Sequence, residues 1–174
     1  EEEEGLSAVS GNRARVYCGI AAQTAILPIK KEKTMIEVYL NLNGQAAEAA
    51  AFYAQVFGAP DPYILRFDEM PKEDQGDAPD SWGSLVMHAN VKTFAGDIML
   101  GDNLPGTTTT PSAANWINVS HSDLKRLRQV FEGLSEGGEV LMPLESTFFS
   151  PLYGQVKDKF GFHWMIMSDE PSEF

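Results

Sequence analysis

Few residues in this chain pair a reactive type with a spacing that supports chemistry. Glu37 stands in the segment Ile36-Glu37-Val38-Tyr39-Leu40-Asn41-Leu42-Asn43. A carboxylate beside an aromatic wall acts as a general base when desolvation raises its pKa, and is otherwise a solvated strand carboxylate. His88, in Val86-Met87-His88-Ala89, reads either as a base or ligand or as a hydrogen-bonded structural histidine. His88, His121 and His163 lie too far apart for a His-rich metal motif, and there is no Gly-x-Ser-x-Gly elbow or P-loop. Ser122 to Lys125 matches Ser-x-x-Lys in letters only; Ser122 reads as the cap of a following helix. Asn118-Val119-Ser120 has the form of a glycosylation sequon but falls in an expected strand. Asp102 beside Asn103 reads as turn-forming.

Composition narrows the classes. Of 174 residues, 43% are hydrophobic and 22% charged, ordinary for a globular protein long enough to bury a core. The net charge of −12 repels phosphate backbones, so nucleic acid is not an expected partner. No apolar run approaches the roughly 20 residues that span a bilayer, so no membrane partner is expected. The lone Cys18 has no intrachain partner, and a reducing, cytoplasmic setting is expected. Residues 1–34 read as an N-terminal extension or leader, with Met35 a natural start. Their short apolar patch over 20–29 contains Gln23 and Thr24 and does not resemble a secretory signal.

The elements that must position Glu37 and His88 follow from periodicity. Ile36, Val38, Leu40 and Leu42 alternate with polar residues, which predicts a half-buried strand. Ala49, Phe52, Tyr53, Val56 and Phe57 then recur at helical spacing, with Gly58 at the C-cap. Strands are expected over 63–67, 85–91 and 97–101, with an acidic, turn-rich stretch over 68–81. The pattern restarts with a strand over 116–121 and a helix carrying Leu124, Leu127, Phe131 and Leu134, closed by Gly137-Gly138. Strands over 139–142, 153–157 and 162–167 complete it. Ile36 and Ile117 open the two units 81 residues apart, and Phe94 to Met99 echoes Phe160 to Met165, which marks an internal duplication. The helix-to-last-strand glycine interval is 38 residues in the first unit and 24 in the second, and the acidic stretch accounts for the difference.

These phrases carry a family likeness. Tyr39 to Gly44, Ala51-Phe52-Tyr53 with Val56-Phe57-Gly58, Val86 to Ala89, Gly96-Asp97 with Gly101-Asp102-Asn103, Gly138 to Pro143, and Tyr153-Gly154 with Asp158 to Trp164 resemble PhnB-like proteins. Those proteins belong to the vicinal-oxygen-chelate superfamily, with glyoxalase I, extradiol dioxygenases and bleomycin- or fosfomycin-resistance proteins. The likeness spans about residues 35–168. It implies an α+β fold of two tandem βαβββ modules, about 35–103 and 115–168, forming a curled mixed sheet, followed by a tail over 169–174. Some PhnB-like proteins bear the name of a demethylubiquinone methyltransferase. This sequence has no strand entering a Gly-rich turn, and no alternating βα pattern, to hold a dinucleotide-like cofactor.

In the superfamily the modules line a cup, and four inward positions hold a divalent metal. The resemblance places those positions at Glu37, Met99, Trp116 and Met165, of which one is a carboxylate, so no metal and no other cofactor is expected. Side-chain parity turns Glu37, Tyr39 and Asn41 inward, with Met99, Trp116, Asn118, His163 and Met165, while Phe162, Trp164 and Ile166 pack under the helices. The expected ligand-binding set is Glu37, Tyr39, Asn41, His88, Met99, Trp116, Asn118, Tyr153 and Met165, with Glu37 and His88 as candidate catalytic groups. Trp116, Met99 and Met165 read as an apolar floor or as simple core. The resemblance implies a homodimer, and the residues at these positions lead to the expectation of a small-molecule-binding protein without the usual metal. Two alternatives stay open: a lyase, isomerase or dioxygenase working through a metal or general base, and a scaffold whose cup is filled by its own side chains.

Overall fold

The chain divides into a unit Glu1–Met35 and a unit Ile36–Phe174. The computed structural model describes residues 37–74 and 79–171; the expected leader over 1–34 and the end of the tail lie outside the described residues. The first module runs β1 (Val38–Leu42), α1 (Ala46–Phe57), β2 (Tyr63–Arg66), β3 (Val86–Thr93) and β4 (Gly96–Asp102). The second runs β5 (Ile117–His121), α2 (Leu124–Ser135), β6 (Glu139–Glu145), β7 (Tyr153–Lys157) and β8 (His163–Ser168). The fold is α+β. Its strands form two four-stranded mixed sheets, ordered β1-β4-β3-β2 and β5-β8-β7-β6, with the first and last strand of each module parallel. Neither helix is long and apolar enough to cross a membrane.

Most strands depart from their expected bounds by a residue or more. Phe67 leaves β2 to open a short 3-10 turn, and β3 runs on to Thr93. β6 continues through Pro143 to Glu145, which an edge strand tolerates because the missing N–H costs no ladder bond on its outer side. Parity holds on both modules. Leu40, Leu42, Ile98, Leu100, Val119, Trp164 and Ile166 are buried, while Tyr39, Asn41 and Asn118 between them are exposed. The core is completed by Ala46, Ala49, Ala50, Tyr53 and Phe57 of α1 and by Leu127, Val130, Phe131 and Leu134 of α2.

The helix N-termini correct two sequence expectations. Asp102 does not form a turn: its carboxylate accepts hydrogen bonds from Ala46 N and Val86 N, both 2.9 Å, so it caps α1 from the end of β4. The cap of α2 is Asp123, not Ser122. Leu124 is the first helical residue, so the side chain just before it is the one placed to accept from Lys125 N at 3.0 Å and Arg126 N at 3.1 Å. The Arg126 hydrogen bond, foremost, holds the Asp123 carboxyl below the usual carboxylate range. Gly58 ends α1 at φ 59°, as expected. α2 ends one step before its glycines, with Glu136 extended and Gly137 taking the positive φ of the following turn.

The two modules meet along the helices. A Cβ on Gly133 would lie 3.0 Å from Val56 Cγ2, so a larger residue there would press on Val56 where α2 meets α1. Beside this contact, Tyr53 Oη and Trp164 Nε1 both donate to Asp158 Oδ2 at 2.7 Å, while Phe160 N and Phe162 N donate to Oδ1 at 2.9 and 3.0 Å. Asp158→Ala leaves two buried donors without an acceptor. The expected loss in urea unfolding is about 2–5 kcal/mol, and a loss under about 1 kcal/mol would show the clamp to be dispensable. Burial, followed by the Asp158 charge and hydrogen bond, pushes the Tyr53 hydroxyl well above its ordinary 10.0. The folded state therefore favours the neutral phenol, whose contribution is complete below about pH 10 and is lost as pH rises through the folded value. Alkaline unfolding curves should accordingly fall less steeply for Tyr53→Phe than for the parent chain.

Candidate functional site

β1 and β5 are edge strands of their sheets, and they line one cleft of about 450 Å³. Glu37, Tyr39 and Asn41 enter it from the first module, and Trp116, Phe162 and His163 from the second. Residues 109–112 and Asn115 of the linker form the remaining wall. That wall is held by polar side chains at the end of β1. Asn43 Nδ2 donates to Thr109 O at 2.9 Å, and Asn43 Oδ1 accepts from Asn103 Nδ2 at 2.7 Å and from Thr109 N at 3.2 Å. Asn103 Nδ2 also reaches Thr109 Oγ1 at 2.8 Å, which in turn donates to Asn41 O at 3.2 Å.

Of the expected ligand-binding set, Glu37, Tyr39, Asn41 and Trp116 share this cleft. Glu37 is exposed. Tyr39, 44% exposed, donates to Met87 O at 3.3 Å and stacks on His88 with ring centroids 5.9 Å apart. Burial raises the Tyr39 hydroxyl above its ordinary value. Gly101 lies beneath the ring, where a Cβ would come within 2.7 Å of Tyr39 Oη and 2.9 Å of the Met87 backbone oxygen. Met99 pairs with Tyr39 on one side and Asn90 on the other. His88 and Met99 thus lie on the same outer face of the first sheet as Tyr39, and neither lines the cleft.

On the second sheet, Met165 pairs with Asn118 and Gln155, repeating the arrangement around Met99. Tyr153 accepts from Gln155 Nε2 at 2.7 Å and meets Phe149 edge-on at 5.1 Å. Asn118, Tyr153 and Met165 therefore form a separate group on that sheet, and none of them lines the cleft. Trp116 donates from Nε1 to Ala113 O at 2.9 Å and packs edge-on to His163 at 5.0 Å. Phe162, expected wholly under the helix, packs against the core yet also lines the cleft, because it precedes the first residue of β8 and strand parity does not bind it. No described residue of the acidic stretch lines the cleft; its ends close on themselves through Asp68 N to Gly83 O at 3.2 Å and the Phe67–Trp82 contact at 6.1 Å.

Residues 109–112 and Asn115 were not legible as site residues. They lie between modules, where no period places them, and the only signal was a polar run beside Pro111. A larger groove of about 740 Å³ runs between α1, α2 and the β3–β4 turn. It contains none of the expected site residues, and Arg126 there lies over the Phe94 ring at 4.7 Å. The smaller cleft is taken as the candidate because Glu37, Tyr39, Asn41 and Trp116 of the expected set share it, whereas the larger groove holds none of that set.

The divalent metal implied by the superfamily does not fit these donors. Met99 and Met165 offer thioethers, the Trp116 indole has only a donor and spends it on Ala113, and Glu37 is one carboxylate. Among the described residues no three His, Cys, Asp or Glu side chains are grouped to hold an ion. The linker wall is open to test: Asn43→Ala removes three hydrogen bonds, each worth about 1 kcal/mol. Hydrogen exchange at Thr109 should then quicken by about tenfold or more, and an unchanged rate would show that Asn43 does not hold the wall.

Comparison with known proteins agrees with this architecture. The family described as 3-demethylubiquinone-9 3-methyltransferase matches residues 33–167. Protein YjdN of Escherichia coli (strain K12) is 31% identical over 134 residues, covering 74% of this chain and 90% of that protein. Protein PA1353 of Pseudomonas aeruginosa superposes with a TM-score of 0.67 at 29% identity, covering 78% of this chain and 97% of that one. The PhnB protein of Bacillus cereus superposes with a TM-score of 0.61 at 28% identity, covering 78% and 99%. Glyoxalase/bleomycin-resistance proteins at 13% and 17% identity, both with a TM-score of 0.52, share the fold alone. The chain thus belongs to the family described as 3-demethylubiquinone-9 3-methyltransferase, is PhnB-like, and has the fold of glyoxalase/bleomycin-resistance proteins.

Proposed function

We propose that the chain binds a small molecule in the cleft between β1 and β5, without the superfamily's metal. The observation that carries this reading is the convergence of Glu37, Tyr39, Asn41 and Trp116 from two modules on one cleft whose third wall is pinned by hydrogen bonds. The ligand would lie against the Trp116 ring, held by amide and hydroxyl groups around it. The methyl transfer named in the family description gains no support from this fold: among the described residues, neither sheet is doubly wound with a Gly-rich turn at a helix N-terminus.

The same reading assigns a second copy of the chain as partner. Edge strand β6 exposes Val140 at 49%, Leu141 at 40% and Met142 at 37%, so apolar side chains are uncovered on both of its faces, and Phe148 beyond it is 83% exposed. Such a patch is characteristic of an interface. Sedimentation equilibrium should give a dimer that Leu141→Asp with Phe148→Asp converts to monomer; a monomeric parent chain at micromolar concentration would remove the assignment.

The first test is elemental analysis of chain purified without chelator, with thermal melts on adding Zn, Mn, Ni or Fe. About one metal per chain with a raised Tm would overturn the metal-free reading and favour a lyase, isomerase or dioxygenase. Trp116→Ala should weaken binding of any compound found by screening about tenfold, with the chain still folded. Loss of the fold in that variant would mark Trp116 as core instead.

A further inference from the structure

Among the described residues, two buried side-chain polar atoms have no hydrogen-bond partner, Asn90 Oδ1 and His163 Nδ1. Asn90 keeps one bond, from Nδ2 to Asp97 Oδ2 at 3.2 Å. His163 has none, and it lines the cleft between β1 and β5. Its ring is set by the edge contact to Trp116 at 5.0 Å. By contrast, Nδ1 of His121 accepts from Asp123 N at 2.9 Å.

The orphan atom fixes which nitrogen carries the proton. A neutral imidazole has one N–H and one bare nitrogen, and the environment of each decides the tautomer. Burying an N–H with no acceptor is costlier and rarer than burying a bare acceptor. In the neutral ring Nδ1 is therefore the bare nitrogen and Nε2 carries the proton, on a side chain that lines the cleft. The site thus presents a fixed donor without an acceptor. Glu37 lines the same cleft and the chain carries −12, so an anionic acceptor would meet repulsion.

The geometry points to His163, as its Nε2–H tautomer, donating a hydrogen bond to the carbonyl oxygen of an uncharged ligand in this cleft. The assignment rests on the cleft being the binding site, and it names both the recognising residue and the ligand class.

Two measurements on the full chain test it. Long-range proton–nitrogen correlation spectra of histidine-labelled protein, with His163 assigned through His163→Gln, should show Nε2 protonated and Nδ1 bare; a proton on Nδ1 overturns the proposal. Separately, acetophenone and ethylbenzene are titrated against cleft resonances. Acetophenone should bind about tenfold more tightly in the parent chain, the preference should survive in His163→Gln, whose amide offers a donor at a similar reach, and it should vanish in His163→Phe. A preference that persists in His163→Phe overturns the role of His163. Shifts from neither probe, with the tautomer as expected, would instead sink the cleft as a binding site and the proposal with it.

Discussion

A carboxylate that is 2% exposed must have its charge answered by hydrogen bonds, because the desolvation it suffers is otherwise larger than folding can offset. Asp158 is in that position, and four donors converge on it: the Tyr53 hydroxyl, the Trp164 indole and two backbone N–H groups. Tyr53 comes from the first module's helix and the other three from the turn and strand that end the second. The requirement of one charge is therefore met only when both modules are docked. Around it, Phe52 and Phe160 meet at 5.6 Å, and Phe57 and Trp164 at 5.9 Å, so the apolar contact and the polar network specify the same arrangement.

The repeat solves the same physical problem with different residues. Each helix begins with N–H groups that need an acceptor, and in each module an aspartate supplies it. Asp123 caps α2 locally, from the position before the helix. Asp102 caps α1 from 56 residues away, and its second oxygen takes the first N–H of β3. The first module's helix, third strand and fourth strand are thus tied at one point, and Asn103, the next residue, begins the polar contacts that hold the linker. The cleft wall is in this sense an extension of the cap.

The face opposite the helices repeats as well. Met99 sits between Asn90 and Tyr39, and Met165 between Gln155 and Asn118. Two thioethers in equivalent positions, an indole already committed to a carbonyl and a single carboxylate make a surface for contact rather than for holding a hard cation. Stacking of Tyr39 on His88 over Gly101 gives the first sheet an aromatic outer face, and Trp116 against His163 gives the second its own. Those two aromatic pairs flank the cleft between β1 and β5.

Alternation of side chains along a strand and recurrence every three to four residues along a helix are local properties, so the elements, their order, the duplication and the alternation that buries Leu40 and Trp164 while leaving Tyr39 exposed were legible in the sequence. The capping of α1 was not, because Asp102 acts on Ala46 across a gap that no local pattern spans. The division of one expected ligand-binding set into a cleft group, with Glu37, Tyr39, Asn41 and Trp116, a first-sheet pair, His88 and Met99, and a second-sheet group, with Asn118, Tyr153 and Met165, was likewise invisible. Parity says which face a side chain takes and nothing about how far apart two faces stand. The sequence by itself determined the modules and the facing of their residues; only the tertiary structure decided the linker wall and the unpartnered His163, since both depend on which atoms of distant segments come within hydrogen-bond reach.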